Sequence, residues 1–232
     1  MSEYKGLPVQ DGQSIRPITV QQGIWFSSRE QWKILEMPYL DVPLVRRLFH
    51  NAERVRTCNS MLMGQNAGMF ASVHVITDHV MGKIEDDIPA AGIPSIANQT
   101  EQRLDVTTPY SKFPTTLFNQ SVALAWYLNM LKAKGMQSLY GSSESTRRDG
   151  SGISASVSWD SKVTTLVGLL GGVGDFVRAK MKTEGIYDEF FKVLSREYEL
   201  EFGSMLYGED VDMCLPNFEV PVVNVTDFSH CS

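Results

Sequence analysis

Several things this sequence has little of narrow its function before any motif is found. No apolar run reaches the ~18 residues needed to span a bilayer, so no membrane-crossing helix is expected. The opening stretch MSEYKGLPVQDGQ lacks the apolar centre of a signal peptide, which fits a cytoplasmic chain or a secreted one whose leader is gone. Basic residues are outnumbered, 21 Lys and Arg against 27 Asp and Glu, for a net charge of −6. The one basic cluster, Arg147-Arg148, runs straight into Asp149. Affinity for a phosphate backbone comes from Lys and Arg, so nucleic acid is not an expected partner.

Histidine and cysteine are as sparse. The four histidines (His50, His74, His79, His230) form no pair at helical i, i+4 spacing, and His74, Asp78 and His79 make only a loose group. No metal and no cofactor is expected. Cys58, Cys214 and Cys231 make neither a metal set nor a disulfide framework. Cys58 falls in an apolar helical register and is expected to be buried and inert. Cys214 and Cys231 bracket the tail and are available to pair, though spacing alone does not require it. Gly168, Gly171, Gly172 and Gly174 lack the Gly-Lys-Ser/Thr ending and the preceding strand of a phosphate loop. Glycines at this spacing in an apolar helix instead let a neighbouring helix approach closely.

What remains is an ordinary globular composition, 43% hydrophobic and 21% charged over 232 residues, long enough to bury a core. Three Asn-x-Ser/Thr sequons (Asn98, Asn119, Asn224) among eight asparagines exceed the one or so expected by chance and tilt the balance slightly towards secretion.

Residues 1–26 read as an extended arm with a β-favouring Ile18-Thr19-Val20. Ser27 with Glu30, and Ser28 with Gln31, each fit a capping box, and Pro38 ends the helix they open. Asp41 and Pro43 begin a second helix. Leu44, Leu48, Ala52, Val55, Cys58 and Leu62 recur on it every three or four residues as one buried stripe, ended by Gly64 and Gly68. Glu53, Arg54 and Arg56 lie off that stripe and read as a solvated ion-pair face, unless one arginine turns into a cleft. Met69–Ile76 is the best strand candidate. From about 78 to 109 periodicity is absent, a long connection of the sort that packs over something or carries function. Residues 121–134 form a helix apolar nearly all round, hence buried on most sides. A further helix is expected from about 161 to 182, and a last one from 183 or 187 to 202. The body is then 27–203 and 204–232 a tail draped on it: all-α, with long loops and short β segments.

The chemistry-bearing stretch is LYGSSESTRRDGSGISASVSWDSKVTTLVGLLGGVGD. Glu144 sits on its polar loop, and Asp160 follows Trp159 where a helix opens. Two carboxylates at one helix end suit a general acid and a general base, and Tyr110, Tyr140 and Trp159 are surfaces on which a sugar ring stacks. Asp160 is equally well placed as an N-cap, and Glu144 as a solvated loop carboxylate.

The strings TPYSKFPTTLFNQSVALAWYLNML, LYGSSES and SWDSKVTTLVGLLGGV resemble, in order and spacing, the C-terminal half of the glucoamylase-like (α/α) toroid glycoside hydrolases of β-1,2-glucanase type. NAERVRT and Gly68-Met69-Phe70-Ala71-Ser72 are similar to segments upstream in that family. The resemblance covers about 51–182. It implies an (α/α) toroid or half-toroid, a glucan-type saccharide as ligand and no metal. Glu144 (acid) and Asp160 (base or electrostatic stabiliser) would take the acidic positions of a cleft lined by Arg54, Tyr110, Tyr140 and Trp159. Lys162 is then a basic neighbour of Asp160. The alternative is a non-enzymatic assembly subunit in which a partner chain, or a second copy, completes the toroid and covers an otherwise large exposed apolar face.

Overall fold

The computed structural model describes residues 2–4, 17–23, 26, 31–62, 93, 96–97, 106–131, 137–138, 141–142, 144–147 and 159–216. Among these, seven helices carry the architecture: α1 (Trp32–Glu36), α2 (Pro43–Leu62), α3 (Phe113–Phe118), α4 (Gln120–Leu131), α5 (Trp159–Leu169), α6 (Gly174–Thr183) and α7 (Tyr187–Phe202). The strands are short and antiparallel in two-stranded ladders. β1 (Ser2–Tyr4) pairs with β2 (Ile18–Val20), β3 (Val106–Thr107) with β6 (Thr146–Arg147), and β4 (Gln137–Ser138) with β5 (Gly141–Ser142). The domain is all-α and toroid-like, as the sequence implied. The strand candidate at 69–76 and the helix-ending Gly64 and Gly68 lie outside the described residues.

The packing centres on α2. Pro43 starts it, at the position where a missing N–H costs nothing. Leu44 and Leu48 meet Phe202 of α7, and Val45 and Phe49 meet Ile34 of α1. Ala52, Val55 and Cys58 meet Ile18, Val20, Ile93 and Ile96. The aperiodic stretch before Pro109 thus sends two isoleucines into the core. Leu62, expected on the buried stripe, is exposed at the helix end.

The expectation of a solvated ionic face on α2 is corrected. Glu53 and Arg56 are both buried. Arg56 Nε donates to Glu53 Oε1 at 3.0 Å, Thr115 Oγ1 of α3 donates to Glu53 Oε2 at 2.8 Å, and Gln31 accepts from Arg56 at 2.7 Å once its amide oxygen faces inward. The Arg56 guanidinium also lies 5.3 Å from the Phe26 ring centroid. With α1, α3 and the Phe26 segment all against α2, its polar side is covered too, and the charges neutralise one another.

The single helix expected over 161–182 is two helices. Gly171 and Gly172, at φ +88° and +83°, close α5 in a Schellman motif, with Gly172 N–H to Val167 O at 2.8 Å and Gly171 N–H to Gly168 O at 3.1 Å. Val173 N–H then donates to Leu35 O at 2.8 Å, tying the break to α1. Asp41 joins α6 and α7 to the start of α2, accepting from Arg178 Nε at 2.6 Å and from Tyr187 Oη at 2.7 Å. Burial pushes the Asp41 carboxyl up, but the Arg178 and Tyr187 hydrogen bonds hold it below the usual carboxylate range.

Residues 203–216 lie along α2. Arg47 forks onto Glu209 (2.7 and 2.6 Å), Asn51 Nδ2 donates to Tyr207 O at 3.0 Å, and Trp126 Nε1 donates to Cys214 O at 2.9 Å. Cys58 is corrected as well: it is buried, but it forms a disulfide with Cys214. The sequence offered Cys231 as the partner of Cys214, and Cys231 lies outside the described residues.

Candidate active site

The site is built where the loop after β5 meets the first turn of α5. Gly141, the first residue of β5 and paired with Ser138 of β4, adopts φ +104°, a conformation that glycine takes without strain. Glu144 follows, only 1% exposed. Ser161 Oγ donates to Glu144 Oε2 at 2.9 Å, Lys162 Nζ lies 3.6 Å from the same oxygen, and Lys162 Nζ donates to Ser161 Oγ at 3.0 Å. The aliphatic stem of Lys162 runs beside Gly141, where a Cβ would sit 3.6 Å from it. A buried carboxylate with a hydroxyl and an ammonium on one oxygen has a defined orientation. The reading of Glu144 as a solvated loop residue is therefore overturned. Lys162, read from the sequence as a neighbour of Asp160, lies within ion-pair distance of Glu144.

Helix α5 begins at Trp159, so Asp160 stands in its first turn, immediately before the serine that binds Glu144. The Asp160 side chain lies outside the described residues, as does Tyr140. Trp159 is 81% exposed at the rim of this helix end. Tyr110 is on the 3-10 turn Pro109–Lys112 that leads into α3, buried with Leu35 and Phe113. One turn along α5 from Ser161, Thr165 lines a small apolar pocket of about 70 Å³ with Tyr110, Lys112, Phe113 and Tyr127. Ser161 thus faces the carboxylate and Thr165 the pocket, about 6 Å apart along one helix. Glu144 is held at the start of α5, where Trp159 and Asp160 stand, whereas Tyr110 lies further along that helix, beside Thr165 and Val167.

Arg54 does not join them. Its Nε donates to Val211 O at 2.5 Å and its Nη1 to Asn51 Oδ1 at 2.8 Å, which anchors the tail segment to α2. Ser161 and Lys112 gave no sign of a role in the sequence, and Lys162 showed only as a neighbour of Asp160. The contacts of Ser161 and Lys162 with Glu144 become legible only when Glu144 is seen folded onto α5. Lys112 is fully buried, donating to Thr108 O at 3.2 Å beside Met130 Sδ, and burial pulls its ammonium down to about 7. Its place in a PYSK turn resembles an ordinary surface lysine. Among the described residues no group of three or more His, Cys, Asp or Glu is placed to hold a metal ion.

A glucan-cleaving family is the natural comparison for a buried loop glutamate beside an aspartate and aromatics at a helix end. The family model described as Endo-beta-1,2-glucanase SGL matches residues 8–232. The chain belongs to this family. Among solved structures, the endo-beta-1,2-glucanase from Talaromyces funiculosus in complex with sophorose is similar, with 55% sequence identity and a TM-score of 0.86. The match covers 93% of this chain and 43% of that one. A glutamate-to-glutamine mutant of that enzyme, in complex with beta-1,2-glucan, matches with the same identity, coverage and TM-score. No curated protein matches the chain. The chain of this family member therefore spans 43% of the length of its solved relatives. The toroid-type glycoside hydrolase resemblance drawn from the sequence is borne out.

Proposed function

We propose that this chain provides the acid–base end of an endo-acting β-1,2-glucanase site. The observation that carries the reading is Glu144: nearly inaccessible, on a loop, and held by Ser161 at the helix end where Asp160 stands. In the mechanism it supports, Glu144 and Asp160 are the carboxyl pair flanking the scissile bond. One gives a proton to the departing glycosidic oxygen, and the other activates water or stabilises positive charge at the anomeric carbon. Glu144, in an ion pair with Lys162, fits the second role. Ser161 and Lys162 position the Glu144 carboxyl. Trp159 and Tyr140 supply aromatic faces for glucose rings, Trp159 from the exposed rim, while Tyr110, buried against Leu35 and Phe113, belongs to the packing beneath. Arg54 is assigned to the scaffold, because Val211 and Asn51 occupy its guanidinium.

The relatives support the substrate class, since one holds sophorose and a mutant holds beta-1,2-glucan. That the polymer is present with a glutamate-to-glutamine mutant supports a glutamate in the chemistry. A buried disulfide fits an oxidising compartment and supports secretion.

The test is release of reducing ends from β-1,2-glucan by the chain, assayed alone and with the remainder of the Talaromyces enzyme supplied as a second polypeptide. Glu144→Gln is expected to lower turnover by about 10²-fold or more, with glucan binding and thermal midpoint kept. Undiminished turnover in Glu144→Gln would overturn the reading. So would a wild-type chain that neither binds nor cleaves β-1,2-glucan under either condition.

A further inference from the structure

The sequence carries three Asn-x-Ser/Thr triplets, and the glucan site uses none of them. Asn98 and Asn224 lie outside the described residues, whereas Asn119-Gln120-Ser121 falls in the turn that joins α3 to α4. Among the described asparagines, Asn51 and Asn129 are buried and Asn59 is half-buried, and none of these three opens such a triplet. Asn119 is exposed, and so are Gln120 and Ser121 after it. All three residues of this triplet are therefore within reach of a modifying enzyme.

The local backbone suits a substitution on the Asn119 side chain. Asn119 ends α3 in an extended conformation, φ −150° and ψ 95°, before the chain turns into α4. Its Oδ1 accepts from Val122 N–H at 3.1 Å, the bond by which an N-cap residue satisfies an early amide of the helix that follows. That bond uses the carbonyl oxygen and leaves the amide nitrogen, Nδ2, to other chemistry. A sugar on Nδ2 keeps the carbonyl and one N–H, so α4 stays capped. The position is also clear of the candidate active site. Helix α3 meets Gly168 of α5 at Phe113, its first residue, whereas Asn119 follows its last. Glu144 is held at the start of α5, about two turns before Gly168.

The compartment agrees with the geometry. Sugars are transferred to asparagine in the oxidising compartment where disulfides form, and Cys58 is bonded to Cys214. We propose that Asn119 carries an N-linked glycan. Its Nδ2 attacks the anomeric carbon of a lipid-diphosphate-linked oligosaccharide. The N–C bond forms as the C–O bond to the diphosphate breaks, the lipid diphosphate leaves, and the amide proton passes to a base of the transferase. Donor and catalyst belong to the secretory membranes of the cell. This chain supplies the acceptor, with Ser121 as the hydroxyl residue that recognition of the triplet requires. The inference rests on the reading of the chain as secreted, and not on which residues perform catalysis.

The experiment is expression of the full chain behind a supplied secretion leader in a yeast host, followed by peptide mass mapping after enzymatic deglycosylation in heavy-oxygen water. Removal of a glycan converts Asn119 to a heavy-labelled aspartate, while an unmodified Asn119 stays asparagine. Labelling at 119 is expected in most of the secreted protein. Asn119→Asp keeps an acceptor oxygen for Val122 N–H, and Ser121→Ala leaves Asn119 in place, so both should keep the circular dichroism of the wild type. Each is expected to migrate faster on a denaturing gel by the mass of one glycan, whereas Ser121→Thr keeps the glycan. Secreted protein with Asn119 unlabelled overturns the proposal, whether or not Asn98 or Asn224 is labelled. If the chain stays in the cell, the same mapping on the protease-protected membrane fraction decides, and an unlabelled Asn119 there overturns it equally. Glucan turnover and thiol titration on the same material keep the readings apart. A labelled Asn119 in a protein that does not cleave glucan upholds the glycan and counts against the proposed activity. An unlabelled Asn119 beside paired Cys58 and Cys214 overturns the glycan and leaves the disulfide's support for secretion standing.

Discussion

At the scale of single residues, the core of this protein contains charge that the sequence placed outside it. Glu53 and Arg56 were readable as a helix-surface pair because polar residues three apart on a long helix are usually solvated. What sequence could not show is that α1 and α3 lie over that side of α2, bringing Gln31 and Thr115 as partners. Lys112 is a costlier case. Burial lowers its ammonium to about 7, so the folded chain binds fewer protons than the unfolded one between that value and the ordinary lysine value of 10.5. Folding stability should therefore rise with pH across this window and carry the full penalty below it. Lys112→Met removes the titrating group and keeps a side chain able to fill the space. Thr108 O remains paired, because Ser111 Oγ also donates to it at 2.7 Å. The variant is expected to be more stable than wild type by on the order of 2 kcal/mol at neutral pH, the gap shrinking as pH approaches the upper end of the window. Urea denaturation of both proteins at several pH values checks this. A gap that stays constant with pH would show that Lys112 does not titrate across the window.

At the scale of elements, the break between α5 and α6 is the most informative feature. Apolar periodicity ran unbroken from 161 to 182, and the glycines there were read as contact surface on one continuous helix. Gly168 does act that way, against Phe113. Gly171 and Gly172 instead terminate the helix, and Gly172 sits so close to α1 that a Cβ would lie 2.7 Å from Leu35 O. Gly172→Ala should then cost about 2 kcal/mol or more, combining left-handed strain with a clash against backbone. Gly171→Ala, at a similar φ but with nothing within 4 Å, should cost the strain alone, about 1 kcal/mol. Comparing the two by thermal or denaturant unfolding separates conformation from contact. The helices that were legible, α2, α4 and α7, are those with caps, prolines or long periodic runs. Of the candidate site, the placing of Glu144 and Asp160 around a helix start was legible. The contacts of Ser161 and Lys162 with Glu144 were not, because they join residues 17 and 18 apart across a loop.

At the scale of the whole molecule, the question is what holds 203–216 on the body, since this segment has little secondary structure of its own. Sequence showed Cys214 in the tail but offered it a partner within the tail. The observed partner, Cys58, lies 156 residues away towards the C-terminal end of α2, a pairing that only the folding of the tail along that helix could reveal. Around the bond, Arg47 grips Glu209, Arg54 holds Val211 O, and Thr57 Oγ1 accepts from Cys214 N–H at 3.2 Å. The salt bridge and hydrogen bonds fix the direction of the segment, and the disulfide restricts the unfolded chain over a very long loop. In the chain-entropy model a loop of this size is near the upper end of disulfide stabilisation, so Cys58→Ser with Cys214→Ser should lose about 2–5 kcal/mol. Reductant should lower the denaturation midpoint of the wild type by the same amount and leave the double serine variant unmoved. Both measurements are needed, because a loss in the variant alone could come from a buried hydroxyl at position 58, next to Val55 and Ile18. A wild-type midpoint indifferent to reductant, in a preparation whose thiols titrate as free, would remove the crosslink from the account. The tail would then be held by Arg47, Asn51, Arg54 and Trp126 alone.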